Sequence, residues 1–187
     1  MIAADDRHAL LTLARRVLEA RVRREPAPSV EAGGVLSLVA GAFVSIHRDG
    51  ELRGCLGRIE SDWPLSRVIA HLAAAVADSD PRFIAVVPHE LGELDIEISV
   101  LLPEREVFSI EDIDIGRHGL IVEQGSRRGL LLPQVPTEHG WDRRTFVEHT
   151  CLKASLPPHA WRHGAQMFVF EAEVFGERLA GPLAPRP

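Results

Sequence analysis

No stretch of this 187-residue chain stays apolar for the ~18 residues that a bilayer-spanning helix needs, which excludes a membrane-spanning reading. The opening residues, MIAADDRHALL, carry acids where a signal peptide carries a basic region, and no long apolar segment follows. The expectation is a cytoplasmic protein. Cysteine is scarce: Cys55 and Cys151 lie far apart in the chain, which gives neither a disulfide framework nor a paired-cysteine zinc motif, and both read as free thiols. Basic excess is lacking too, with 21 Lys and Arg against 27 Asp and Glu and a net charge of -6. That balance argues against a sequence-independent grip on nucleic acid, which needs a basic face to displace counterions. His139, His149, His159 and His163 lack the paired spacing of a zinc site, so no metal is assigned and no cofactor is read. Neither an internal repeat nor a low-complexity tract is present.

What remains is the pattern of a globular protein with a real core, since a chain of this length buries roughly 70% of its unfolded surface. Leu10, Leu13, Ala14, Val17 and Leu18 recur at helical spacing, predicting an amphipathic helix from about Asp5 to Arg24. VLSLVAGAFVSIHRDGELRGCLGRI reads as two strands around Asp49-Gly50. A three-residue loop, Arg48-Asp49-Gly50, sets Ile46 opposite Leu52, Val44 opposite Gly54 and Ala42 opposite Leu56. Phe43 then faces Cys55, and Arg53 shares the more polar face with Cys55. SDWPLSRVIAHLAAAVADSDPRF is the next helix, with Pro64 in its first turn and Pro81 forbidding continuation. LDIEISVLL alternates as a half-buried strand, GLIVEQGSRRGLLLPQV reads as a second hairpin, and WDRRTFVEHTCLKASL as a helix capped by Asp142 with Cys151 on its core side. AQMFVFEAEVF is a last strand closing the sheet. The fold class is α+β with a largely antiparallel sheet, because hairpins supply most strand contacts.

The stretch LRGCLG carries the candidate chemistry. On an extended strand Cys55 projects to the same side as Arg53, about 7 Å away, where a fixed cation lowers a thiol pKa. Gly54 and Gly57 remove side chains around it, so a ligand or another backbone can approach closely. The competing reading is a buried structural cysteine in a strand that ends in a glycine bulge. A cysteine nucleophile needs a base. His118, in the glycine-flanked GRHGL, is one candidate, and Glu123, set among apolar strand residues in LIVEQG, is another. Asp80 and Arg82 in DSDPRF form a local ion pair or cap the helix end.

LRGCLG, a PL-containing helix, DPRF, ELGELDIEISVL, HGLIVE, GLLLPQV, GWD and CLKA follow one another in this order. Together they resemble the AMMECR domain family, whose bacterial and archaeal members are called AmmeMemoRadiSam system protein A. The resemblance runs from about Gly50 to Phe175, and the N-terminal helix fits it. The family hallmark carries isoleucine where this chain has Leu56, a change that keeps an apolar contact. The resemblance implies a single domain over 1–187, with a family-matching core of about 5–177 and a short Pro-rich tail at 178–187. It also implies a larger and a smaller lobe, and a cleft near LRGCLG as the functional site. A Memo-type protein and a radical SAM enzyme are the implied partners, and no reaction is supplied. Two functions stay open. In one, an accessory component binds a partner or a small anionic ligand through Arg53, Gly54, Gly57, Asp80 and Arg82. In the other, an enzyme uses Cys55 as nucleophile or covalent carrier, with His118 or Glu123 as base.

Overall fold

The computed structural model describes residues 2–29, 33–59 and 61–178. Of the Pro-rich tail expected over 178–187, residues 179–187 lie outside these described residues. In chain order the elements are α1 (Ala4–Arg23), β1 (Ala42–Arg48), β2 (Glu51–Arg58), α2 (Leu65–Ala75), β3 (Leu94–Leu101), β4 (Arg105–Val107), β5 (Gly119–Gln124), β6 (Arg127–Leu131), α3 (Gln134–Glu138), α4 (Arg143–Lys153), β7 (Gln166–Phe170) and β8 (Ala172–Gly176). They form two compact units, one running to Leu101 and resuming at Glu173, the other spanning Leu102–Ala172. The α+β class follows directly from this order.

In the first unit the strands are ordered β2-β1-β3-β8. The apolar side of β1 meets that of β3 pair by pair, Ile46 with Ile96, Val44 with Ile98 and Ala42 with Val100. All of these are buried, as are the stripes Leu10, Leu13, Ala14, Val17 and Leu18 of α1 and Leu65, Val68, Ile69 and Leu72 of α2. The helical and strand periodicities of the sequence thus converge on one core. Pro64 stands just before α2 rather than inside its first turn.

The β1–β2 hairpin differs from the expectation. Asp49 has φ 52° and Gly50 φ 83°, so the loop has two residues, both left-handed, a turn whose twist suits a hairpin and which Asp-Gly adopts readily. Arg48 therefore faces Glu51 and His47 faces Leu52, after which the register shifts and Ile46 faces Gly54. Arg53 is the extra residue of a β-bulge. Beyond it Ser45, not Phe43, faces Cys55, while Val44 faces Leu56 and Phe43 faces Gly57. The short turn on its own would have mixed the polar and apolar faces; the bulge returns Gly54 and Leu56 to the side of Ile46 and Val44. It also takes Arg53 out of the simple alternation that was expected to align it with Cys55.

The second unit holds the sheet β4-β7-β5-β6. Its short edge strand β4 has no clear signal in the sequence. The β5–β6 hairpin turns on Gly125 and Ser126, with Gln124 facing Arg127 and Glu123 facing Arg128. Helix α4 begins as expected, with Asp142 Oδ1 accepting the Thr145 N–H at 2.8 Å. It packs Phe146, Val147 and Cys151 into a core with Leu120, Val122, Met167 and Val169. Burial pushes the Cys151 thiol pKa up, consistent with a packing role. The last strand is not one but two. At Glu171 the regular strand is interrupted, and β7 belongs to this sheet whereas β8 belongs to the first. Two sheets therefore replace the single one expected.

The end of α4 lies so close to β6 that a Cβ on Gly129 would stand 2.2 Å from the Ala154 backbone nitrogen. Backbone cannot yield there as a flexible side chain would. Gly129→Ala is expected to destabilise the protein by about 3 kcal/mol, measured by urea unfolding. A change within 0.5 kcal/mol would contradict this packing.

Candidate functional site

The DPRF segment is a β-turn. Phe83 N–H donates to the Asp80 carbonyl at 3.1 Å across Pro81, and Pro81 supplies the fixed φ that the second turn position favours. The Asp80 side chain closes the same turn by accepting the Arg82 N–H at 3.1 Å. Asp80 also accepts from Arg82 Nε at 3.0 Å and Nη2 at 2.8 Å. Its carboxylate is only 2% exposed.

This turn lies against the outer edge of β2, the first strand of its sheet. There the Cys55 N–H donates to Asp80 Oδ2 at 2.9 Å, and Arg82 Nη2 donates to the Cys55 carbonyl at 3.1 Å. An edge strand leaves alternate peptide groups unpaired. Here two side chains act as the missing neighbour strand for the cysteine of LRGCLG. The Arg82 hydrogen bonds, joined by the backbone N–H groups of Cys55 and Arg82, hold the Asp80 carboxyl well below the usual carboxylate range against the opposing effect of burial. Arg82 is stabilised as a cation chiefly by Asp80 and, more weakly, by the Cys55 side chain. The cysteine itself is half-buried and free.

Arg53 is engaged elsewhere. Its Nε and Nη2 donate to Glu90 Oε1 and Oε2 at 3.0 and 3.2 Å, and its Nη1 to the Ile84 carbonyl at 2.9 Å. Glu90 is buried and also accepts the Val87 N–H at 2.9 Å. Burial pushes the Glu90 carboxyl up, but the Arg53 hydrogen bonds, the Val87 N–H and the charges of Arg53 and Arg48 outweigh it and leave the pKa lowered. Glu90 was not singled out in the sequence. Its signal is Pro88 followed by an acid two positions later, an arrangement that caps a helical turn.

The glycines of LRGCLG are filled from within. A Cβ on Gly54 would stand 3.0 Å from Val76 Cγ2 and 3.2 Å from Ile46 Cγ1, and one on Gly57 only 2.0 Å from the Phe43 ring. Across the sheet Cys55, Ser45 and Glu97 form one row over β2, β1 and β3. Two strand spacings of about 4.8 Å separate the ends of that row, so Glu97 is no direct partner for the thiol.

His118 and Glu123 belong to the second unit. His118 is buried, and its Nδ1 accepts the Asp114 N–H at 3.0 Å. That bond puts the neutral ring's proton on Nε2, which faces Glu171 Oε1 at 3.8 Å. Glu123 Oε2 accepts from Arg128 Nη1 at 2.6 Å, the cross-strand pair that the β5–β6 register sets up. Among the described residues no group of three His, Cys, Asp or Glu side chains gathers as a metal site, and no helix is long and apolar enough to cross a membrane.

The AMMECR1 family model matches residues 11–175, from within α1 to within β8. The chain belongs to the AMMECR1 family. Protein MK0488 of Methanopyrus kandleri is 42% identical, over 95% of this chain and 91% of that protein. Protein MJ0810 of Methanocaldococcus jannaschii is 43% identical, over 73% of each. A crystal structure of the uncharacterized protein PH0010 from Pyrococcus horikoshii is similar with a TM-score of 0.71 at 38% identity, covering 95% of both chains. The match to the PH0010 structure thus takes in residues of both units and not of one sheet alone.

Replacing Asp80 by Asn is expected to cost about 2 kcal/mol at pH 7, through loss of charge-assisted hydrogen bonds to buried groups. Because the folded pKa is lowered, the stabilisation is full above the unfolded carboxyl pKa of about 4 and declines as pH falls below it. Urea unfolding of both proteins from pH 7 to pH 3 checks this: the gap should narrow toward pH 3, and a constant gap would contradict it.

Proposed function

We propose that this AMMECR1-family protein is an accessory component, acting in the cytoplasm with a Memo-type protein and a radical SAM enzyme, and that it binds a partner or small anionic ligand at LRGCLG. The observation that carries this reading is Arg82. Its guanidinium is fixed by buried Asp80 and by the Cys55 carbonyl, yet its side chain remains 56% exposed. A cation held in place beside an exposed backbone edge suits an incoming carboxylate or phosphate, because little side-chain entropy is left to lose. Gly57 is exposed on the same strand, two residues beyond Cys55, where strand alternation turns its peptide groups outward as well. Arg53, Asp80 and Glu90 then serve to hold the edge in shape.

A second reading makes Cys55 a nucleophile or covalent carrier, and what favours it is that the cysteine is free and half-buried, with the Arg82 guanidinium hydrogen-bonded to its own carbonyl. Less in its favour is the state of the two candidate bases: His118 Nδ1 is taken by the Asp114 N–H and Glu123 by Arg128. The binding reading needs neither.

Titration calorimetry of the full chain with the Memo-type and radical SAM proteins of the same genome tests the proposal. Binding to at least one of them is expected, weakened about tenfold by Arg82→Ala and unchanged by Cys55→Ser. Loss of function in Cys55→Ser together with a covalent adduct on Cys55 in mass spectrometry would move the thiol enzyme ahead. Binding to neither protein would remove the partnership.

A further inference from the structure

The first sheet packs one face into its core and carries polar side chains on the other. Strand alternation puts Phe43 and Ser45 of β1, Cys55 and Gly57 of β2, and Glu97 and Ser99 of β3 on the side opposite the buried Val44, Ile46, Ile96 and Ile98. The register sets Ser45 between Cys55 and Glu97, and Phe43 between Gly57 and Ser99. Because the Cys55 N–H and carbonyl turn outward to Asp80 and Arg82, the peptide groups of Ser45 turn to β3 instead. Directly opposed Cβ atoms such as those of Ser45 and Glu97 stand about 5 Å apart, and diagonal ones such as those of Ser45 and Ser99 about 7 Å.

Three oxygen-bearing side chains at the centre of this face have no protein partner. Ser45 is only 8% exposed, yet among the described residues neither its hydroxyl, nor that of Ser99, nor the Glu97 carboxylate makes a hydrogen bond or an ion pair. The other acids of the first sheet and its connections behave differently. Asp95, two residues before Glu97, pairs with Arg178 at 2.8 Å, and the buried Asp80 and Glu90 are compensated by Arg82 and Arg53. A nearly buried hydroxyl left unsatisfied is rare in native proteins, and one placed beside an unpaired carboxylate points to a bond supplied from outside the chain. Next to these oxygens the Phe43 ring lies across Gly57, where a Cβ would stand 2.0 Å from Phe43 Cδ1.

We propose that this face binds an alkylammonium group, whose three N–H donors go to the Glu97 carboxylate and the Ser45 and Ser99 hydroxyls while its aliphatic stem lies on the Phe43 ring. The acceptors select that ligand. A carboxylate can only accept, so the group that satisfies it must donate, and a compact ammonium with three donors reaches oxygens spread over two strands better than a planar guanidinium does. An anion would meet Glu97 with no cation beside it in the row. A divalent ion would find one carboxylate where such ions collect several oxygen ligands, and no metal cluster gathers among the described residues. Phe43 adds the ring face that attracts a cation and its methylenes. The site uses the face of the sheet and not its Arg82 edge, so it stands apart from the reading of LRGCLG as an anion site.

The test is a titration of the isotopically labelled full chain with n-pentylamine at neutral pH, followed by amide chemical shifts. Tetramethylammonium, which has the charge without N–H donors, and pentanol, which has the stem without the charge, are the controls. The amine should bind with a Kd of about 1 mM or tighter, shift the amides of β1 and β3 around Ser45 and Glu97, and exceed both controls at least tenfold. Glu97→Gln, which keeps the side-chain shape and breaks no protein contact, should weaken it at least tenfold, and Ser45→Ala about threefold. Nα-acetyl-lysine amide separates the two sources of such a group: binding equal to that of pentylamine supports a lysine side chain as the natural ligand, and exclusion of it supports a free amine. Absence of saturable shifts, shifts elsewhere than on this face, equal binding of either control, or indifference to Glu97→Gln would each overturn the proposal.

Discussion

The carboxylate of Asp80 holds together what would otherwise be an open sheet edge and a loose connection. Buried and charged, it takes hydrogen bonds from the Cys55 backbone and from three nitrogens of Arg82. An isolated buried carboxylate would be costly; this one is compensated at each oxygen. The consequence runs in two directions. The chain after α2 is tied to β2, and the cysteine of LRGCLG has its outward peptide groups satisfied without a neighbouring strand.

A second buried acid repeats the device on the other side of the bulge. Glu90 receives Arg53 and the Val87 N–H, and Arg53 in turn reaches the Ile84 carbonyl. The segment between Asp80 and Glu90 is therefore fastened at both ends by carboxylates, with little regular structure of its own. Irregular backbone that must keep one shape needs such side-chain partners, because it has no ladder to supply them. The two arginines differ in exposure: the Arg53 side chain, paired with Glu90, is 14% exposed, whereas that of Arg82, paired with Asp80, is 56% exposed.

Much of this could be read in the sequence. The stripes of α1 and α2, the alternation of β3, the Asp142 cap and the core position of Cys151 follow from periodicity and capping, which depend only on local geometry. The pairing of Asp80 with Arg82 was legible as an ion pair. Its hold on Cys55 was not, because 25 positions separate the partners and nothing local links them. The bulge at Arg53 was missed for a related reason. Apolar matching alone fits a longer loop as well as it fits a short turn followed by a bulge, and only the register against the sheet separates them.

What the sequence determined on its own was the kind of element each segment forms, since spacing, turn chemistry and caps act within a few residues. The tertiary structure decided how those elements were shared out. AQMFVFEAEVF, one alternating run, is divided between two sheets at Glu171, and the glycines of LRGCLG receive Val76, Ile46 and Phe43. It also decided which charges stay at the surface, because the burial of a carboxylate depends on what packs over it, and that partner comes from a distant part of the chain.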